Sequence, residues 1–209
     1  VTFLIPAAGA LLEYALTDSA TDASLTTSFS FASRNFGTAY SDRYIIAILA
    51  LPSNNRDASA CTIGGVTASK LAGNSDIRRA SIWGAAVPTG TTGTVAITAD
   101  GTSAGCGLHI YSIYPIASLN TSNLSTNGGS ITVPAAGFAI GGGYTSQGGS
   151  TPTMSLSGLT EDATVTWSSS GILSRLTVGS VVGTGAAVTV TATGSTAPPF
   201  GFAVSAFGV

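Results

Sequence analysis

Turn chemistry interrupts this 209-residue chain about every ten residues, and the stretches between are of strand length, either alternating polar with apolar or running apolar throughout. That rhythm leaves little room for helix, which needs apolar side chains returning at three- and four-residue steps over a longer span. Leu25 to Ala32 (LTTSFSFA) alternates, whereas Tyr44 to Leu51 (YIIAILAL) is apolar throughout and suits a strand buried on both faces. Gly64-Gly65 inside Thr62 to Leu71 marks the turn of a strand pair, and Pro88-Thr-Gly90 with Gly93 separates Ala80 to Val87 from Thr94 to Ala99. Gly107 to Tyr114 (GLHIYSIY) ends the first half at Pro115. Ile116 to Ser130 is rich in Ser, Thr, Asn and Gly and reads as a crossing loop or a weak internal boundary. The same grammar then returns in Ala136 to Tyr144, Thr164 to Ser168, Leu173 to Val182, Ala187 to Thr193 and Phe200 to Phe207. The expected fold is all-β: a two-sheet antiparallel β-sandwich, jelly-roll-like, over residues 21–209, preceded by a short N-terminal arm over residues 1–20.

Composition narrows the functional classes. Charged residues make up 8% of the chain and Ser with Thr roughly a quarter, which excludes coiled coils and helical bundles that depend on helix formers and salt-bridging charges. A hydrophobic content of 44% with a net charge of −2 supplies enough apolar area for a core and excludes disorder. Seven basic residues, of which only Arg78 and Arg79 are adjacent, cannot form the positive stripe that phosphate neutralisation requires, so no nucleic-acid partner is expected. Val1 to Leu16 is shorter than the roughly 20 residues of a membrane span and contains Pro6, Gly9 and Glu13, so no membrane partner is expected either. With no Lys or Arg before it, that stretch reads as the chain's own start, although a signal peptide already removed would leave no trace.

The arm is the segment that breaks the β grammar. Its apolar residues Phe3, Leu4, Ile5, Leu11, Leu12 and Leu16 are interrupted by Pro6, Ala-Ala-Gly and the acidic Glu13 and Asp18, and a short helix from Ala8 to Leu16 is compatible with the pattern. Two readings stand open: an edge strand with a covering turn, or an arm that leaves the sandwich and buries those six side chains on a neighbouring subunit. Cys61 and Cys106 lie in apolar or Gly-rich strand-like runs and read as buried free thiols; a bridge between them is the alternative.

Motifs with chemical content are few. Gly101-Thr-Ser103-Ala-Gly105 satisfies G-x-S-x-G, but it lies between two strand patterns with no helix following, and His109 comes six residues later with no carboxylate between, so it reads as a hairpin loop. His109, the sole histidine, is mid-strand and is expected either to face solvent or to be hydrogen-bonded and half-buried. Two cysteines and one histidine give at most three nitrogen or sulfur ligands, and Asn74 with Asp76 or Glu161 with Asp162 lacks EF-hand spacing, so no metal and no cofactor are expected. The nine acidic residues fall mostly at turns and strand edges, where capping and solvation explain them better than a facing pair of glycosidase carboxylates. Tyr40, Tyr144 and Trp167 are the aromatics nearest predicted loops and would stack on sugar rings if a glycan were bound, although core or interface packing is the commoner role for a tryptophan in a strand.

Four strings then form a pattern: Arg43-Tyr-Ile-Ile-Ala-Ile; Cys61-Thr-Ile-Gly-Gly-Val-Thr-Ala; Ala80-Ser-Ile-Trp-Gly-Ala-Ala-Val-Pro-Thr-Gly-Thr-Thr-Gly-Thr-Val; and Cys106-Gly-Leu-His-Ile-Tyr-Ser-Ile. With Gly158-Leu-Thr-Glu-Asp and the closing Gly-Phe-Ala-Val-Ser-Ala-Phe strand, the chain resembles small β-sandwich virion proteins of tailed bacteriophages and prophages over most of residues 25–207. It departs from them at Cys61, where a Ser or a Val-like residue is more usual, and in the arm. The motifs are strand and turn signatures, so no functional residue is carried over. The resemblance implies a non-enzymatic structural protein of the virion surface, first a capsid decoration or head-spike component, assembled in the bacterial host cytoplasm and docked on other virion proteins. The alternative is a tail or spike adhesin for host-surface glycan. The thinly charged, Gly-, Ala- and Thr-rich surface implies a homo-oligomer, trimer first.

Overall fold

The computed structural model describes residues 2–6, 11–52, 56–73, 79–115, 123–124, 128–195 and 201–208; residues 2–6, 11–12 and 123–124 are described by backbone alone. No helix occurs among them, and every strand pairing is antiparallel. The first half holds β1 (Thr2–Pro6), β2 (Leu11–Asn35), β3 (Tyr44–Leu51), β4 (Ala58–Ile63), β5 (Val66–Thr67), β6 (Ser69–Gly73), β7 (Arg79–Ala86) and β8 (Thr92–Tyr114). The second holds β9 (Asn123–Leu124), β10 (Gly128–Thr132), β11 (Phe138–Gly148), β12 (Met154–Ser157), β13 (Thr160–Ser169), β14 (Ile172–Val182), β15 (Ala187–Gly194) and β16 (Gly201–Phe207).

The long strands β2 and β8 form one bent ribbon whose register slips at several bulges, among them Asp22/Leu25 and Phe31/Arg34. Bulges bend and twist a strand pair. One end of β8 therefore pairs with β3 and the other with β4, and the eight-stranded sheet curls into a nearly closed, barrel-like layer. Its interior holds Phe29 and Phe31 of β2, Ile45, Leu49 and Leu51 of β3, Cys61 and Ile63 of β4, Trp83 of β7, and Val95, Ile97 and Leu108 of β8. Each such side chain contributes about 1.5–3 kcal/mol relative to exposure.

The alternate residues of β3, Ile46, Ile48 and Ala50, face the opposite way and pack with Phe138, Ile140, Leu176 and Val178 of a five-stranded sheet ordered β13-β14-β11-β16-β9. β3 is thus buried on both faces, as its uninterrupted apolar run implies. The far side of the five-stranded sheet, with Ala139, Phe202 and Val204, packs on Ile131, Leu156 and Val190 of a three-stranded sheet ordered β10-β15-β12. Close layer contact needs a missing side chain in β11: a Cβ at Gly142 would come within 2.6 Å of Ile48 Cγ2.

The all-β, antiparallel, sandwich-like class is as the sequence implies, with a third sheet added on the outside. Three local expectations are corrected. Residues 11–16 do not form the end of a helix; they open β2, which pairs with β1 from Thr2↔Ala15 to Pro6↔Leu11. An isolated helix of that length is marginal in water, whereas a strand ladder satisfies the same backbone groups cooperatively with the sheet behind it. The division at residue 20 falls inside β2. Residues 101–105 are not a hairpin loop but the middle of β8, because β2 keeps pairing past them at Leu25↔Ala104 and Thr26↔Ser103 while Gly105, at φ +112°, absorbs the bend. The Ile116 to Ser130 stretch lies between the two halves, with only Asn123–Leu124 and residues 128–130 inside the described residues.

Candidate functional site

The three aromatics singled out for sugar stacking have different fates. Tyr144 and Trp167 are buried and stacked on each other, with ring centroids 5.9 Å apart, so neither is an exposed platform. β13 lays Trp167 flat over β8 at Gly105 and Gly107, where any side chain on β8 would collide with the indole. The expectation fails because alternation along β13 predicts two faces but not that one of them is covered by the barrel wall. Tyr40 is different. It is half-buried and stacks on Tyr114, with centroids 4.1 Å apart and the rings inclined by 21°.

Tyr40 and Tyr114 border a pocket of about 200 Å³ at the end of the barrel-like sheet where β2 begins and β8 ends. Glu13 and Tyr114 are directly paired across the strands, as are Ala15 and Ser112, so these four line one face of the ribbon. The segment carrying Gly37, Thr38 and Tyr40 passes over them as the opposite wall. The Glu13 carboxylate has no ion-pair or hydrogen-bond partner among the described residues.

Arg43 holds that wall in place. Its side chain is fully buried, and its guanidinium donates to six backbone carbonyls: Nε to Val87 O at 2.8 Å, Nη1 to Phe36, Gly37 and Thr38 O at 3.4, 3.0 and 2.9 Å, and Nη2 to Thr89 and Gly90 O at 2.9 and 2.6 Å. Burial lowers its pKa, and the carbonyl dipoles take the place of a carboxylate as the charge's partner. No spacing rule announces this residue. Its only sequence signal is a charge set directly before a strand buried on both faces.

The remaining reactive groups are occupied by packing. His109 is fully buried, beyond the half-burial expected, between β8 and the five-stranded sheet. Its Nε2 is 3.3 Å from Leu176 O, a group that can only accept, so Nε2 carries the proton and Nδ1 accepts from Ser19 Oγ at 2.7 Å. Burial pushes its pKa down to about 4. Cys61 and Cys106 are free and buried, and burial pushes the Cys61 thiol up to about 12, leaving no thiolate for reaction or metal binding near neutral pH. Ser103 is buried and donates to Gly105 O at 3.1 Å.

Several acidic residues cap backbone amides or accept from hydroxyls. Asp18 accepts from Ser19 N and Asn35 N, Asp22 from Ser24 N, Glu161 from Leu156 N, and Asp162 from Tyr111 Oη at 2.8 Å. Asn74 and Asp76 lie outside the described residues, and no group of three or more metal-ligating side chains occurs among those described.

Of the six apolar residues of the arm, Leu16 is half-buried and packs against the layer between barrel and five-stranded sheet, within its own chain. The side chains of Phe3, Leu4, Ile5, Leu11 and Leu12 lie outside the described residues; their backbone forms β1, an edge strand of the eight-stranded sheet, and the start of β2. Matches were sought among known families, curated proteins and solved structures, and none was found.

Proposed function

We propose that this chain is a non-enzymatic structural protein of a tailed-phage particle, a capsid decoration or head-spike component that self-associates, trimer first, and docks on neighbouring virion proteins at the particle surface. The observation that carries the structural part is the use made of His109 and Arg43. A histidine held between two layers with both ring nitrogens bonded, and an arginine saturated by six carbonyls, serve as mortar between elements and not as reagents. The particle itself is inferred from the resemblance of the strand-and-turn strings to small phage sandwich proteins.

Self-association is supported by a surface with few charges and by large apolar side chains left in the open, Leu25 at 66% exposure foremost, then Val66, Ile172 and Val182. Imaging of intact purified particles tests the assignment: many copies on the head shell are expected, and a few copies at a distal tip, or none, would overturn it. Light scattering at micromolar concentration tests the association, for which a monomer is the adverse result.

A further inference from the structure

We propose that the pocket between Glu13, Tyr114 and Tyr40 binds a single uncharged pyranose ring. Four features of the site select that chemistry. Tyr114 from the ribbon and Tyr40 from the opposite wall stack on each other where the two walls meet, and the joined rings bound the pocket with an apolar body against which the C–H face of a sugar can lie. The floor is small and partly polar: Ala15 leaves room and Ser112 offers a hydroxyl that can both donate and accept. Glu13 supplies a carboxylate with no partner among the described residues, able to accept from two adjacent sugar hydroxyls. The volume of about 200 Å³ is below the roughly 300–1,000 Å³ of pockets that take drug-sized ligands, so it fits one ring of a chain and not several.

Charge decides between a neutral sugar and an ion. The Glu13 carboxylate faces the pocket from one side, and the buried Arg43 guanidinium stands behind the opposite wall, bonded to the carbonyls of Gly37 and Thr38. Glu13 repels an acidic sugar, and as the one carboxylate among the lining residues it does not by itself make a cation site, whereas a neutral polyol has no net charge to be repelled and many hydroxyls to pair. The same six Arg43 bonds keep the Thr38–Tyr40 wall from relaxing, so the pocket is formed before a ligand arrives and little ordering cost attends binding. The proposal does not depend on the particle assignment and is tested on the isolated chain.

The experiment is an amide-shift titration of the full chain with D-glucose, D-galactose and D-mannose, each to about 50 mM, with D-glucuronate and tetramethylammonium as charged controls. Saturable binding of at least one neutral hexose in the millimolar range is expected, with the shifts centred on Thr38 and Ser112. Glu13→Gln and Tyr40→Ala, both at partly exposed positions, should each weaken it by about tenfold or more, and Ala15→Leu, which fills the floor, should abolish it. The proposal is overturned by no saturable binding of any of the three hexoses. It is equally overturned by hexose binding that survives Glu13→Gln and Ala15→Leu undiminished, or by either charged control binding as tightly as the best hexose.

Discussion

The inside of the barrel-like sheet and the seam between that sheet and the five-stranded one are both buried, yet they are built differently. The barrel interior is almost purely apolar, with Phe29, Ile45, Leu49, Ile97 and Leu108 around two protonated thiols. The seam mixes large apolar groups with a polar lattice: His109 between Ser19 and Leu176, Tyr111 on Asp162, and Tyr14 bonded to Ser180 while stacked on Phe138. It also holds the Trp167 indole N–H without a partner among the described residues. Apolar packing is non-directional and rewards any compact arrangement, whereas hydrogen bonds across a buried seam are satisfied in one registration only. The barrel interior therefore supplies stability, and the seam determines how the second half sits on the first.

The comparison can be broken most directly by emptying the interior. Phe29→Ala should cost about 3–5 kcal/mol of unfolding free energy, read from urea melts, with the same loss at pH 7 and pH 5 because the titratable groups of the interior, the Cys61 and Cys106 thiols, stay protonated across that range. A pH-dependent loss would mean that the two regions are not separable.

The seam should instead respond to acid. His109 titrates near 6.5 in the unfolded chain and near 4 in the folded one, so between those values the unfolded state binds the proton and the folded state does not. Stability must fall as pH drops through that window, level off below about 4, and be fully present above 6.5; the loss is roughly 3 kcal/mol. Carboxylates titrate nearby, so the informative quantity is the difference between the native chain and His109→Gln. Equal slopes in the two proteins from pH 6.5 to 4.5 would remove the histidine from the account.

Close packing in the seam gives a smaller effect. A methyl group at Gly107 would strike the Trp167 ring, and Gly107→Ala should cost about 1–3 kcal/mol and shift the tryptophan emission as the indole moves. An unchanged spectrum with unchanged stability would show that the indole has room to slide.

The rim outside both regions should matter least. The ion pairs of Asp57 with Lys70 and Arg79 are partly solvated, so Lys70→Met should cost under about 1 kcal/mol, and less at high salt. A larger, salt-independent loss would place this cluster with the interior.

Much of the first half was legible because its signals are local. Alternation and apolar runs depend on the two-residue period of a strand, and Tyr44 to Leu51 carried enough of it to reveal burial on both faces. Gly64 and Gly65 sit at positive φ in the turn between β4 and β5, where a side chain would be strained, so their meaning was legible too. The pocket was legible only in part. Tyr40 stood out as an aromatic near a loop, but Glu13 belonged to a stretch whose Pro, Gly and acidic residues obscured its strand character, and its partner Tyr114 lies about a hundred residues away in β8.

The sequence by itself determined the strand content, the positions of the principal turns, the burial of β3 and the all-β class, because each follows from short-range periodicity or from composition. Only the tertiary structure decided that β8 runs on through its glycine-rich middle with β2 still paired to it, that Tyr144 and Trp167 are covered, that Arg43 is ringed by six carbonyls, and that His109 bridges two layers. Those outcomes depend on which sheet lies over which face. A strand's own residues specify that a face is apolar but carry no record of the layer, distant in sequence, that comes to rest upon it.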